Sequence, residues 1–198
     1  MCAVLGTMGE LRLTLRRAEV HDYAATMGLI EAARRWLRTK NTDQWAQPWP
    51  SEEDRSHRIH AALQAGKTWV AWDGRTAVAT ITADAEDSGV WPKEMLAEPA
   101  VYVSRLVVSR RYAGLGLGAG LLDWTALQAR RLYDARWMRV DVWTTNRALH
   151  DYYELQGFKP CGLCDTIPNY PSAALFQKPT AGITMPPTPL FREASSDW

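Results

Sequence analysis

No stretch of this chain runs for 18 residues without a polar interruption, so nothing in it has the apolar length that a membrane-spanning helix needs. The opening residues, Met1 to Glu10, lack both the basic start and the long apolar run of a secretory signal, which makes a soluble, cytoplasmic protein the expectation. A charge excess of one sign is missing too. The 23 basic and 22 acidic residues leave a net +1, so there is no broad electrostatic footprint for nucleic acid or an anionic membrane. Cysteine and histidine are scarce. Cys2 is terminal, Cys161 and Cys164 form a lone Cys-x-x-Cys, and of the histidines at 21, 57, 60 and 150 only His57 and His60 lie close together. A tetrahedral zinc site needs two more ligands than the cysteine pair supplies, so unpaired thiols and no metal are expected. There is no internal repeat, and 198 residues suit a single domain with a sizeable core.

What is present, past the middle of the chain, is a run of alternating glycines. Leu106-Val107-Val108 reads as the end of a strand, Gly114, Gly116, Gly118 and Gly120 follow at every second position, and Leu121-Leu122 continue into an apolar helical pattern. Glycine lets backbone approach a ligand closely, and a helix starting there turns unpaired N–H groups and its positive dipole end toward the loop. Such a turn is an anion cradle, and a diphosphate suits it.

Two familiar phosphate loops fail against it. A P-loop ends in Gly-Lys-Ser or Gly-Lys-Thr, whereas Gly116 and Gly118 are followed by Leu117 and Ala119. A dinucleotide fold places its glycines after the first strand and an acidic residue at the end of the second. Asp141 has roughly that spacing but lies inside a strand between Val140 and Val142, a poor place for a ribose ligand.

The stretch resembles the acetyl-coenzyme A loop of the GNAT superfamily of N-acetyltransferases, whose signature is Gln or Arg, two residues, Gly, any residue, then Gly or Ala. Arg111, Gly114 and Gly116 match it literally. Aligning the helix start instead puts Ala113, Gly116 and Gly118 on it, which keeps the spacing from Leu106-Val107-Val108 and leaves the cradle to main-chain N–H groups with help from Arg110 or Arg111. Downstream, Arg139 to Asn146, the stretch from Arg147 to Gln156 and then Gly157-Phe158 resemble the family's strand, asparagine, helix and Tyr-x-x-x-Gly-Phe, with Tyr153 on the tyrosine.

The resemblance implies a mixed α/β (α+β) fold with a central, mostly antiparallel sheet of six to seven strands flanked by helices on both faces. It implies acetyl-CoA as acyl donor, bound by Leu106, Val107, Val108, Arg111, Ala113, Gly114, Leu115, Gly116, Leu117, Gly118, Ala119 and Asn146. Leu106 and Val108 would offer main-chain groups where two central strands part. Tyr153 would protonate the departing thiolate, a role that suits a phenol of pKa about 10, and Asn146 would touch the pantetheine arm while also capping a helix.

The order of elements agrees. Leu11, Leu13 and Leu15 alternate with polar residues as a strand; helices follow after Asp22 and from Ser51, the second ended by Gly66. A hairpin turns at Asp73-Gly74, residues 84 to 99 form a loop, and Val101 to Val108 is a buried strand. A helix from Leu117 to Leu132, a strand from Trp137 to Trp143, a helix from Ala148 to Gln156 and short strands near Phe158 and from Ala174 to Phe176 complete it. The expected divisions are a leader at 1–10, the acetyltransferase domain at 11–178 and a proline-rich arm at 179–198, extended or disordered.

The function this implies is acyl-CoA-dependent N-acyl transfer, most simply of acetyl, to a small-molecule amine acceptor. A non-catalytic acyl-CoA-binding sensor or partner-binding module on the same fold is the alternative, with a protein or RNA acceptor as a third; net charge speaks against nucleic acid, nothing speaks for a membrane, and a homodimer is compatible. The family's strand glutamate is missing from Val101 to Leu106; Glu98, Asp84 and His150 are acid–base groups nearby in sequence, none assigned as base. Trp45 and Trp49, in the proline-bearing connection between the first two helices, either wall an apolar, aromatic or cationic substrate or pin the loop to the core.

Overall fold

Alternating burial starts the sheet. Leu13 and Leu15 turn inward from strand β1, Leu13–Arg17, with Thr14 facing out. A computed structural model describes residues 13–185 and 190–194; Leu11, the leader at 1–10 and Cys2 lie outside the described residues. Arg16 donates two near-parallel bonds to Asp22, at 2.7 and 2.8 Å, tying β1 to the start of helix α1, Tyr23–Leu37. Helix α2, Glu52–Gln64, opens on Ser51, whose side chain accepts the Asp54 N–H at 3.0 Å. Strands β2, Thr68–Asp73, and β3, Thr76–Asp84, form the hairpin. Within the expected loop at 84 to 99 lies a short 3-10 turn, Lys93–Ala97. Then come β4, Ala100–Val108, helix α3, Leu117–Tyr133, β5, Trp137–Val142, helix α4, Arg147–Leu155, β6, Lys159–Leu163, and β7, Ala174–Pro179.

The sheet has eight strands in the order β6-β7-β5-β4-β3-β2-β1-β8, and its pairs are antiparallel except β4 with β5 and β1 with β8. The eighth, β8, Phe191–Glu193, was expected as part of an extended or disordered arm. It pairs with the free edge of β1 because Phe191 finds an apolar seat there, 4 % exposed and close to Gly120 of α3. Both sheet faces are covered. Leu29 and Ile30 of α1 and Ile59 and Leu63 of α2 pack with Val70 and Val107 on one face, while Leu117, Leu121 and Leu122 of α3 and Tyr153 of α4 pack with Leu13, Ala71, Val140 and Phe176 on the other. No helix among the described residues is long and apolar enough to cross a membrane.

Candidate active site

Strands β4 and β5 share their paired register only from Ala100↔Trp137 to Val103↔Val140, and although β4 runs on to Val108 and β5 to Val142 they pair no further. A bulge sharpens the parting. Between Thr82↔Ser104 and Thr80↔Val107, two residues of β4, Arg105 and Leu106, stand opposite Ile81 alone. Arg105 takes φ +50 there, a left-handed backbone unusual for a side-chain-bearing residue. The β5-facing edge of β4 at Leu106 and Val108 is therefore left without a strand partner, and Val107 sends its side chain into the α1/α2 core.

Beyond β4 the chain makes one 3-10 turn, Arg110–Tyr112, and then the glycine loop. Gly114 and Gly116 have φ +80 and +78, and Gly116 stands at the head of α3. Among the described residues, the N–H groups of 114 to 119 meet no acceptor; the first bond of the helix is Gly120 N–H to Gly116 C=O at 2.9 Å. Six donors and a helix N-terminus thus open onto one turn. Arg110 stacks on Trp36 at 4.1 Å from the ring centre, whereas Arg111 is exposed with no ion pair among the described residues.

At the parting of the strands an open cavity of about 210 Å³ is lined by α1, α2, their connection, β4, β5, α4 and the segment after β6. Trp45 and Trp49 both line it and both anchor their loop: the Trp45 carbonyl accepts from Arg34 Nε at 3.0 Å, and Trp49 meets Tyr170 edge-on at 4.9 Å. Asp43 ties the same loop to the turn between β5 and α4 by accepting the Trp143 indole N–H at 2.9 Å and the Thr145 hydroxyl. Asn146 caps α4, its Oδ1 accepting the Leu149 N–H at 3.2 Å, and its amide nitrogen donates to Gln44.

Tyr153 reaches the cavity from α4 while its ring packs edge-on against Phe158 and Tyr152. Burial, and then Tyr152 and Asp141, push its phenol well above the ordinary value, so it stays protonated. Its hydroxyl makes no hydrogen bond among the described residues. Tyr152, beside it, faces the head of α3, and burial with Asp123 pushes it up to about 12.

None of the acid–base groups named from sequence reaches this cavity. Glu98 accepts from the Trp137 indole at 2.9 Å, Asp84 pairs with Lys67 at 2.6 Å, and His150 Nε2 bonds the Trp143 carbonyl at 3.0 Å. The carboxylate that does reach it is Asp141. Val140 and Val142 take the opposite face, so the strand's alternation alone turns Asp141 toward α1 and α2. Burial pushes its carboxyl above the ordinary range, against the opposing pull of the Tyr170 hydroxyl, which donates at 2.6 Å, and of the Arg105 charge. Arg55, Arg58, Arg105 and Tyr170 were not singled out from sequence, and Asp141 was weighed there only as a ribose ligand and set aside; an acidic residue between two valines of one strand was the available signal for its place here. Cys161 and Cys164 are free thiols away from the cavity, and no cluster of three metal-ligating side chains occurs among the described residues.

A mixed sheet parted between its two parallel central strands, with an amide-lined glycine turn beyond the split, defines an acetyltransferase fold. The chain belongs to the acetyltransferase (GNAT) family, whose pattern matches residues 30–158. A similar protein is the uncharacterized N-acetyltransferase YesJ of Bacillus subtilis (strain 168), 29% identical over 149 residues, 73% of this chain and 81% of that one. Among solved structures, a GNAT-family acetyltransferase from Listeria monocytogenes superposes with TM-score 0.66 at 19% identity, covering 84% of this chain and 94% of the other. The PaiA N-acetyltransferase of Thermoplasma acidophilum, solved in complex with coenzyme A, gives TM-score 0.63 at 14% identity over 84% and 98%.

Proposed function

We propose that this protein transfers an acetyl group from acetyl-CoA to the amine of a small molecule bound in the cavity between α1, α2 and the parted strands. The observation that carries the reading is the set of N–H groups from 114 to 119 that meet no acceptor among the described residues, at the head of a helix where a diphosphate is favoured and one turn beyond a strand edge that has no strand partner. Coenzyme A bound to the Thermoplasma relative supports the donor assignment. A cavity of about 210 Å³ suits a small acceptor, since it lies below the roughly 300–1,000 Å³ of pockets for drug-sized ligands.

The residues present suit direct transfer. An amine of lysine-like pKa is protonated at pH 7, and freeing its lone pair costs about 4.6 kcal/mol. Asp141 takes the first proton in this reading, since burial makes it a stronger base than an exposed carboxylate. The amine nitrogen then attacks the thioester carbonyl, the C–N bond forms, and the C–S bond breaks. Tyr153, on the cavity wall with a free hydroxyl, protonates the departing sulfur. Two protons leave the nitrogen over the reaction; one ends on the thiol and one in solvent.

Thiol release from acetyl-CoA with a panel of amines tests the proposal. Acceptor-dependent release, with an acetylated product of the expected mass, is the expected result. Coenzyme A binding with no turnover of any amine would make the protein a binding module instead.

A further inference from the structure

Four charged side chains line the cavity: Arg55, Arg58, Arg105 and Asp141. Arg55 is neutralised from outside, pairing with Glu31 at 2.7 Å and with Glu52. Arg58 and Arg105 are not; neither has an ion pair among the described residues. The Arg58 guanidinium donates to the Trp49 carbonyl and lies 5.7 Å from the Trp49 ring centre. Arg105 has a single weak bond, 3.4 Å to the Ser104 hydroxyl. After Asp141 is set against them, one positive charge remains without a counterpart in a half-buried, aromatic-walled space, where charge interactions are strong.

Backbone strain points to the same wall. Of the four described residues other than glycine with positive φ, two line the cavity, Arg105 at +50 and Trp45 at +58. The bulge that holds Arg105 in that conformation also interrupts the β3–β4 ladder, a cost the fold bears to turn a cationic side chain into the cavity. Burial, followed by the neighbouring Arg58 charge, pulls the Arg105 guanidinium down to about 10, so the two cations feel each other across the space. An anion between them would relieve both costs, and planar guanidinium groups are the side chains best shaped to hold one. The Trp49 ring that a cationic guest would stack on already carries Arg58.

Resting on the acetyl-transfer reading, we infer that the acceptor is an amine that also bears a carboxylate or other small anionic group, held between Arg58 and Arg105 while its nitrogen lies toward Asp141 and Tyr153. An amino acid with an apolar or aromatic body has this pattern. The apolar wall of Ile30, Ile59 and Leu149 and the ring of Trp45 provide for that body.

The test uses the intact protein and matched ligands: phenylalanine against phenethylamine and phenylalanine methyl ester, and phosphoethanolamine against ethanolamine. Calorimetric binding in the presence of coenzyme A and thiol release from acetyl-CoA are measured for each. At least one member bearing the anionic group should exceed its counterpart lacking that group roughly 10- to 100-fold in affinity and in kcat/KM. Arg105→Gln and Arg58→Gln should each bring that ratio toward one while coenzyme A affinity, which reports a folded protein, is kept. Turnover of amine or ester as good as that of the acid overturns the inference and leaves acetyl transfer standing. Failure of every anionic member to bind also overturns it. Preferential binding of the acids with no turnover keeps the anion site and defeats the transferase reading.

Discussion

The hydroxyl of Tyr152 stands 2.5 Å from the point that a Cβ on Gly118 would occupy, with the ring's next atom at 3.6 Å. Glycine at 118 is thus required by a neighbour on α4 as well as by any ligand of the loop. Gly118→Ala should push Tyr152 off the head of α3 and, at the 1–3 kcal/mol that overpacking typically costs, weaken coenzyme A binding roughly 5- to 150-fold. Adding Tyr152→Phe removes the clashing atom and leaves only ordinary contact. The double variant should regain most of the affinity in a calorimetric titration. A double variant as weak as the single one would mean the loss comes from the ligand side of the loop.

Gly116 heads α3 with φ +78, and a Cβ there would meet only Leu190, at 3.6 Å. A side chain fits in space but not easily in backbone conformation, at a cost of about 1–2 kcal/mol. Gly116→Asp adds a carboxylate beside the N–H groups assigned to diphosphate; unit charges 4 Å apart repel by about 4 kcal/mol near a protein surface. Coenzyme A affinity should fall a hundredfold or more. Gly116→Asn, with equal strain and no charge, should lose far less. Equal affinity of the two variants would remove the diphosphate from this turn.

Tyr153 has its ring in the core and its hydroxyl without a hydrogen bond among the described residues. Tyr153→Phe should therefore leave the melting temperature unchanged or slightly higher, because no bond is lost. Turnover should fall by roughly 100-fold, the lower range for a general acid, with little change in the KM for acetyl-CoA. Unchanged kcat would confine Tyr153 to packing.

How far this was readable beforehand depended on how local each signal is. Strand alternation at Leu13 and Leu15, the Ser51 and Asn146 caps and the glycine run are written in neighbouring residues, and each stands where periodicity placed it. The strand at Phe191 is three residues long within a proline-bearing stretch, too short for any period to register; only the free edge of β1 reveals it. The cavity was less legible still. Asp43 meets Trp143 across 100 residues and Tyr170 meets Asp141 across 29, so the groups that make the acceptor wall come together only through tertiary packing. The bulge that turns Arg105 inward depends on a register slip against β3, which no pattern within β4 announces.

Asp141 ties the site's chemistry to its stability, and the sign can be worked through. Burial raises its folded-state pKa above the unfolded value near 3.9, with Tyr170 and Arg105 only partly opposing, so between those two values the native state binds the extra proton. Native stability from this residue is therefore greatest below the unfolded pKa and falls as pH rises toward the folded one. Asp141→Asn removes that slope while an oxygen remains to accept from Tyr170. Urea unfolding of both proteins from pH 4 to 8 should show the variant gaining on the native protein as pH rises, then running parallel above the folded pKa. In activity the order reverses: the native protein should lose kcat/KM below that same pKa, as a base becomes protonated, and the variant should be slower by roughly 100-fold at neutral pH. A stability difference constant from pH 4 to 8 would mean that Asp141 titrates as an ordinary exposed carboxylate, and its place as proton acceptor would fall with it.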